Sequence, residues 1–135
     1  MPLIVTPRQL IQRSELYSQL ASLLTAGVAL VQALEMIERK PPTYSYRQPL
    51  RAIIANIQAG ASFADSLSSL GRWMPSFDLA LIHAAEQSGR LAEAMRLLAD
   101  YYQQRAQFAR KGMFQKQHFN FTLWERGEQE GAAPS

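Results

Sequence analysis

Gln19-Leu20-Ala21-Ser22-Leu23-Leu24-Thr25-Ala26-Gly27-Val28-Ala29-Leu30-Val31-Gln32-Ala33-Leu34 is the stretch that settles the class of fold. On either side of Gly27 the apolar residues recur at steps of three and four, the period of a helix and not the alternation of a strand. Leu16 to Leu34 runs for 19 residues without a charge, close to the ~20 that cross a bilayer. Ser18, Gln19, Ser22, Thr25 and Gln32 dilute that run, and Gly27 divides it. The stretch therefore reads as parts of two buried amphipathic helices joined by a turn, not as a membrane span.

The same punctuation continues in both directions. Upstream, Thr6 caps the first helix, Pro7 fits its first position, and Gln9 completes a T-x-x-Q capping box; this helix should end near Thr25. Downstream, helix two runs from about Val28 to Arg39. Arg39 and Lys40 suit the negative end of its dipole, and Pro41-Pro42 cannot continue it. Helix three is expected from Ser45, capped through S-x-x-Q with Gln48, to Gly60. Helix four is short, with Ser62 as its cap and Asp65 in its first turn. Gly71 to Pro75 connects it to helix five, which Ser76 should cap and which carries Phe77, Leu79, Leu81, Ile82 and Ala85 before stopping near Ser88-Gly89, with core or interface packing expected for Phe77. Helix six spans about Arg90 to Phe108. Short connections send each helix back along its predecessor, so the expected fold is all-α, an antiparallel bundle of about six helices.

Composition bounds the function. At 135 residues one domain is favoured. There is no cysteine, which excludes disulfides, thiolate metal sites and a cysteine nucleophile. The net charge of +3 is too mild to argue for nucleic acid. Residues 1–12 have no long apolar core and no small-residue cleavage site, so no signal peptide is expected. Residues 1–110 read as the helical domain and 111–135 as a divergent, flexible tail without a span. From Tyr101 to Trp124 the chain has no acidic residue; Arg105, Arg110, Lys111 and Lys116 interleave with aromatic side chains. That pattern suits anionic lipid headgroups, with Arg110, Lys111, Lys116 and Trp124 as the expected contacts.

Catalytic chemistry finds little footing. His83 and Glu86 lie at i and i+3 on helix five, far short of the carboxylates and histidines a bundle metal centre needs. No phosphate loop, nucleophile elbow or H-E-x-x-H is present. A helix-turn-helix DNA-binding regulator is the alternative reading, since helix, glycine turn and helix occur in order. The second helix, however, offers Val28, Leu30, Val31, Gln32 and Glu35 before its first cation at Arg39, which is too apolar for reading bases.

Further residues carry a family likeness. The stretch around Gly27 is followed by Gly60-Ala61-Ser62-Phe63, then Leu67, Met74-Pro75, Phe77, and Glu86-Gln87-Ser88-Gly89-Arg90-Leu91. In this order Leu16–Arg110 resembles the cytoplasmic helical domain of the F-type inner-membrane platform proteins of type II secretion and type IV pilus assembly. The last element is similar to the family's G-E-x-S-G-x-L, with Ala85 where the family has glycine. The family's domain is followed by a transmembrane helix and usually by a second copy; Lys111–Ser135 contains no span, so the chain is expected to be a part of a longer protein or a stand-alone copy. The resemblance implies a non-enzymatic scaffold without cofactor or metal. It would lie on the cytoplasmic face of the bacterial inner membrane, self-associate, and link an assembly ATPase to other platform proteins, with no nucleic acid. Its motif residues here are Gly27, Gly60, Pro75, Glu86, Ser88, Gly89 and Leu91. Within that motif, Ser88 is expected to cap helix six. Glu86 is expected to latch onto the exposed N–H groups of the same helix; contact with a partner or a cation is the alternative role.

Overall fold

In a computed structural model, which describes residues 6–110, the chain forms six α-helices: α1 Pro7–Thr25, α2 Leu30–Arg39, α3 Arg47–Gln58, α4 Phe63–Ser68, α5 Ser76–Ser88 and α6 Leu91–Arg110. Single 3₁₀ turns, Tyr44–Tyr46 and Gly71–Trp73, precede α3 and follow α4. The described residues contain no strand. None of the helices is long and apolar enough to cross a membrane, in agreement with the reading of Leu16–Leu34.

Local chemistry fixes most of the ends. The Thr6 hydroxyl accepts from the Gln9 N–H at 3.1 Å while the Gln9 side chain accepts from the Thr6 N–H at 3.1 Å, so the capping box is complete. At the end of α1, Gly27 takes φ +93°, its N–H reaches the Leu24 carbonyl, and the Val28 N–H reaches Leu23. This is a Schellman closure, and it withdraws Val28 from α2. The end of α3 repeats it, with Gly60 N–H to Ile57 and Ala61 N–H to Asn56. The Ser62 hydroxyl then caps α4 at the Asp65 N–H, 3.0 Å.

Two predicted caps are corrected. Ser45 does not open α3: it sits in the 3₁₀ turn, and Tyr46 holds the N-cap position with helical angles (φ −79°, ψ −13°) and no side-chain cap bond. Arg47 explains the displacement, because its guanidinium reaches back to the Glu38 and Arg39 carbonyls that end α2, at 3.2 and 2.8 Å. Ser76 is the first residue of α5 and not its cap; Pro75, whose ring fixes φ near −60°, takes that position. Phe77 is also exposed, not buried, because the stripe of α5 that faces the core runs through Asp78, Ile82 and Ala85.

α1 and α6 form the spine. The Ser14 hydroxyl donates to the Ala99 carbonyl at 3.0 Å and Arg96 lies 3.4 Å from the Ser22 hydroxyl, so the two helices run antiparallel. Leu10, Leu16, Leu20, Met95 and Leu98 fill the seam, joined by Leu34 and Ile37 of α2, Leu50 and Ile53 of α3, Leu67 of α4 and Ile82 of α5. Each such side chain contributes about 1.5–3 kcal/mol when fully buried. The alternation of direction places the turns at Gly27, Gly60 and Gly89 at one pole of the bundle, with the α2–α3 connection at the other.

At Gly27 an added Cβ would meet no atom within 4 Å, so only the left-handed backbone opposes a side chain. Gly27→Ala is expected to lower the unfolding free energy by about 1–2 kcal/mol with an unchanged urea m-value. A loss under ~0.3 kcal/mol would contradict this account of the turn.

Candidate functional site

The pole that gathers the glycine turns also holds a side-chain contact between elements distant in sequence. α5 ends where Gly89 adopts φ +72° and the Arg90 N–H closes onto the Ala85 carbonyl. This turn sends α6 back down the bundle and leaves Glu86, one turn before it, facing the start of α4. The Glu86 carboxylate accepts from the Phe63 N–H at 2.7 Å and the Ala64 N–H at 3.1 Å. With Ser62 serving the third N–H, the first turn of α4 is satisfied, and the anion sits at the positive end of that helix. Glu86 is thus a latch, as expected, but onto α4 and not onto α6. Ser88 does not cap α6 either: its hydroxyl donates within α5, to the Ala84 and Ala85 carbonyls at 3.1 and 3.4 Å. Leu91, half-buried, packs against the core from the first turn of α6. The structure therefore brings Gly60, Glu86, Ser88, Gly89 and Leu91 to one junction and sets Gly27 at the same pole. Pro75 lies apart from them, at the start of α5.

Near Pro75 a buried polar cluster ties α1, α5 and α6 together, and the sequence reading passed over it. Asp78 is 1% exposed, and its Oδ2 accepts from the Tyr17 hydroxyl at 2.7 Å and the Tyr102 hydroxyl at 2.8 Å. The two tyrosine rings stack at 5.8 Å. One turn earlier on α1, Arg13 is 2% exposed: its Nε donates to the Tyr46 hydroxyl at 3.1 Å, its Nη1 donates to the Trp73 carbonyl at 3.2 Å, and its guanidinium lies 4.2 Å from the centroid of the Trp73 ring. Burial raises the Asp78 carboxyl above its usual range, opposed by the two hydroxyl bonds and by the positive charge of Arg13 and Arg105. Burial, followed by the nearby carboxylate, also raises both tyrosine hydroxyls, so they stay protonated and donate. Among the described residues no buried side-chain nitrogen or oxygen lacks a partner. The signal in the sequence was a charge on an apolar stripe: Arg13 between Leu10 and Leu16, and Asp78 four residues before Ile82.

The remaining candidates do not join either group. His83 is exposed, and among the described residues no three His, Cys, Asp or Glu stand close enough to hold a metal. α2 buries Ala33, Leu34 and Ile37 and exposes Gln32 and Met36. Arg110 is exposed at the end of α6; Lys111, Lys116 and Trp124, and the expected flexible tail, lie outside the described residues.

Comparison with known proteins identifies the family. A family model described as type II secretion system (T2SS), protein F matches residues 16–117. This chain belongs to the type II secretion system protein F family. Its relatives include the protein transport protein HofC homolog of Haemophilus influenzae, 26% identical over 73% of this chain and 24% of its own length. The type IV pilus assembly protein TapC of Aeromonas hydrophila is 32% identical over 62% of this chain and 20% of its own. The type II secretion system protein F of Pseudomonas aeruginosa is 31% identical over 69% of this chain and 23% of its own. The chain thus spans about a quarter of the length of the protein F relatives it matches.

Asp78 gives this family member a pH signature. Its raised carboxyl holds a proton more tightly in the folded chain than in the unfolded one, where the pKa is ~3.9. Asp78 therefore adds stability below that value and loses the addition as the pH rises through its folded pKa. Asp78→Asn removes the linkage. Urea unfolding from roughly pH 3 to 7 should show the wild-type stability falling relative to Asp78→Asn as the pH rises. A difference that is flat, or that grows with pH, would contradict the raised carboxyl.

Proposed function

We propose that this chain is a non-catalytic scaffold domain of a bacterial secretion or pilus-assembly platform. It sits at the cytoplasmic face of the inner membrane and couples a cytoplasmic assembly ATPase to the platform proteins. The observation that carries the reading is the family match over residues 16–117, within which two family elements distant in sequence meet at the Glu86 carboxylate. The packing supports it. Helices joined through a filled core, with α4 tied to the α5–α6 turn and α1 tied to both α5 and α6, pass a displacement on instead of absorbing it. In this reading the domain performs no bond chemistry and binds no cofactor. It self-associates, and residues 1–110 form the unit that partners grip. Arg110, Lys111, Lys116 and Trp124 then rest against anionic headgroups.

The test is co-purification. The tagged full chain, expressed in a bacterium carrying a type II secretion or type IV pilus system, is expected to retain that system's assembly ATPase or another of its platform proteins. Recovery of neither, together with salt-dependent retention of the pure chain on duplex DNA, would overturn the scaffold reading in favour of a DNA-binding regulator.

A further inference from the structure

The pole opposite the glycine turns carries an unusual concentration of positive charge. From Arg39 to Ala64 the chain has four cations, Arg39, Lys40, Arg47 and Arg51, and no aspartate or glutamate, although its net charge is only +3. The fold gathers these cations where α2 ends and α3 begins. Tyr44, Ser45, Arg47, Gln48 and Arg51 line a cleft of about 340 Å³ there. Arg47 and Arg51 sit one helical turn apart on its wall. Tyr44 stands at its mouth, 79% exposed, with its ring centroid 5.5 Å from the Arg47 guanidinium.

Both guanidiniums are held in place. Glu38 lies beneath them, and its carboxylate takes Arg51 Nε at 2.7 Å and stands 3.7 Å from Arg47 Nε. Arg47 is fixed further by the Glu38 and Arg39 carbonyls. Of the four cations, Arg47 and Arg51 line the cleft and share the single Glu38 carboxylate, which leaves its wall positive, and Arg51 remains 59% exposed at its edge. Arginine forks that are already oriented lose little rotamer freedom when they take another carboxylate. Beyond Arg51 the surface changes character. A second cleft, of about 310 Å³, shares Arg51 and Glu38 but is bounded by Glu35, Ile54 and Ala55. The positive surface is therefore short, with an apolar and acidic continuation between α2 and α3.

We propose that this cleft docks an acidic polypeptide segment of a partner protein. Two carboxylates about one turn apart meet Arg47 and Arg51, and an apolar side chain covers the Tyr44 ring. Charge complementarity selects the acid, and the short reach of the positive surface selects a protein. A phosphodiester backbone or an anionic bilayer would have to run on over Glu35 and Glu38. The inference rests on the scaffold reading for the existence of a partner and adds the chemistry by which that partner is recognised.

The probe is a labelled, end-blocked peptide of about 15 residues made of glutamate, leucine and alanine, with glutamates four residues apart, titrated with the full chain by fluorescence anisotropy. It is expected to bind, to bind at least roughly tenfold more weakly with glutamine in place of glutamate, and to weaken with added salt. Tyr44→Ser with Arg51→Gln, two exposed positions, should cost at least roughly tenfold in affinity while circular dichroism stays unchanged. Arg72→Gln, an exposed arginine elsewhere, should leave binding as it was. Equal binding of the glutamine peptide, or equal loss from Arg72→Gln, would overturn the site. Tighter binding of random-sequence duplex DNA or phosphatidylserine vesicles, sensitive to the same double variant, would overturn the assignment to a protein. Peptide binding with recovery of neither the ATPase nor another platform protein would leave the cleft standing and the scaffold reading not; the converse would place the partner contact elsewhere.

Discussion

The rest of the structure depends on one carboxylate meeting two backbone N–H groups. α4 has six residues, too few to hold itself together in water. Its first turn is kept by Glu86, which supplies charge and two acceptors to Phe63 and Ala64. The same bonds position Phe63 and Leu67 to close the core beside Ile82. They also tie α4 to the end of α5, since Glu86 lies in the last turn of that helix. An anion in that place is unfavourable against its own helix dipole and favourable against that of α4, so the pairing has a direction built into it.

The second constraint lies in the middle of the bundle. Asp78 and Arg13 are buried charges, and burial opposes both unless every polar atom finds a partner. Here they do, through two tyrosines on α1 and α6 and through Tyr46 and Trp73 on the 3₁₀ turns. Removing one member would strand the others, which makes the cluster a device for a single register of α1 against α6. The two constraints act at different levels of the bundle. Together they join all the helices except α2 and α3, whose own link is Arg47 and Arg51 on Glu38.

How much of this was legible follows from the range of each cause. The Thr6–Gln9 box, the Gly27 and Gly60 turns and the Ser62 cap are effects of three to six consecutive residues, and the sequence states them directly. Ser45 failed as a cap because Arg47 answers to carbonyls eight and nine residues earlier and Tyr46 sinks towards Arg13. Ser76 failed because Pro75 already holds the extended angles of a cap. Glu86 was recognised as a latch, but its acceptor role was assigned to the nearest helix start. Its true partners lie 22 and 23 residues upstream, and only the reversal of α3 into α4 brings them close. The Asp78 cluster needed three helices in register, and no window of sequence contains them.

Amide hydrogen exchange at Phe63 and Ala64, in the wild type and in Glu86→Ala, is the most direct test that Glu86 is an architectural latch. Both amides are expected to be protected in the wild type and to lose protection by at least roughly tenfold in the variant, ahead of the amides of α1. Unchanged protection at Phe63 and Ala64, with partner recovery lost, would show that Glu86 serves a neighbouring protein and not the fold.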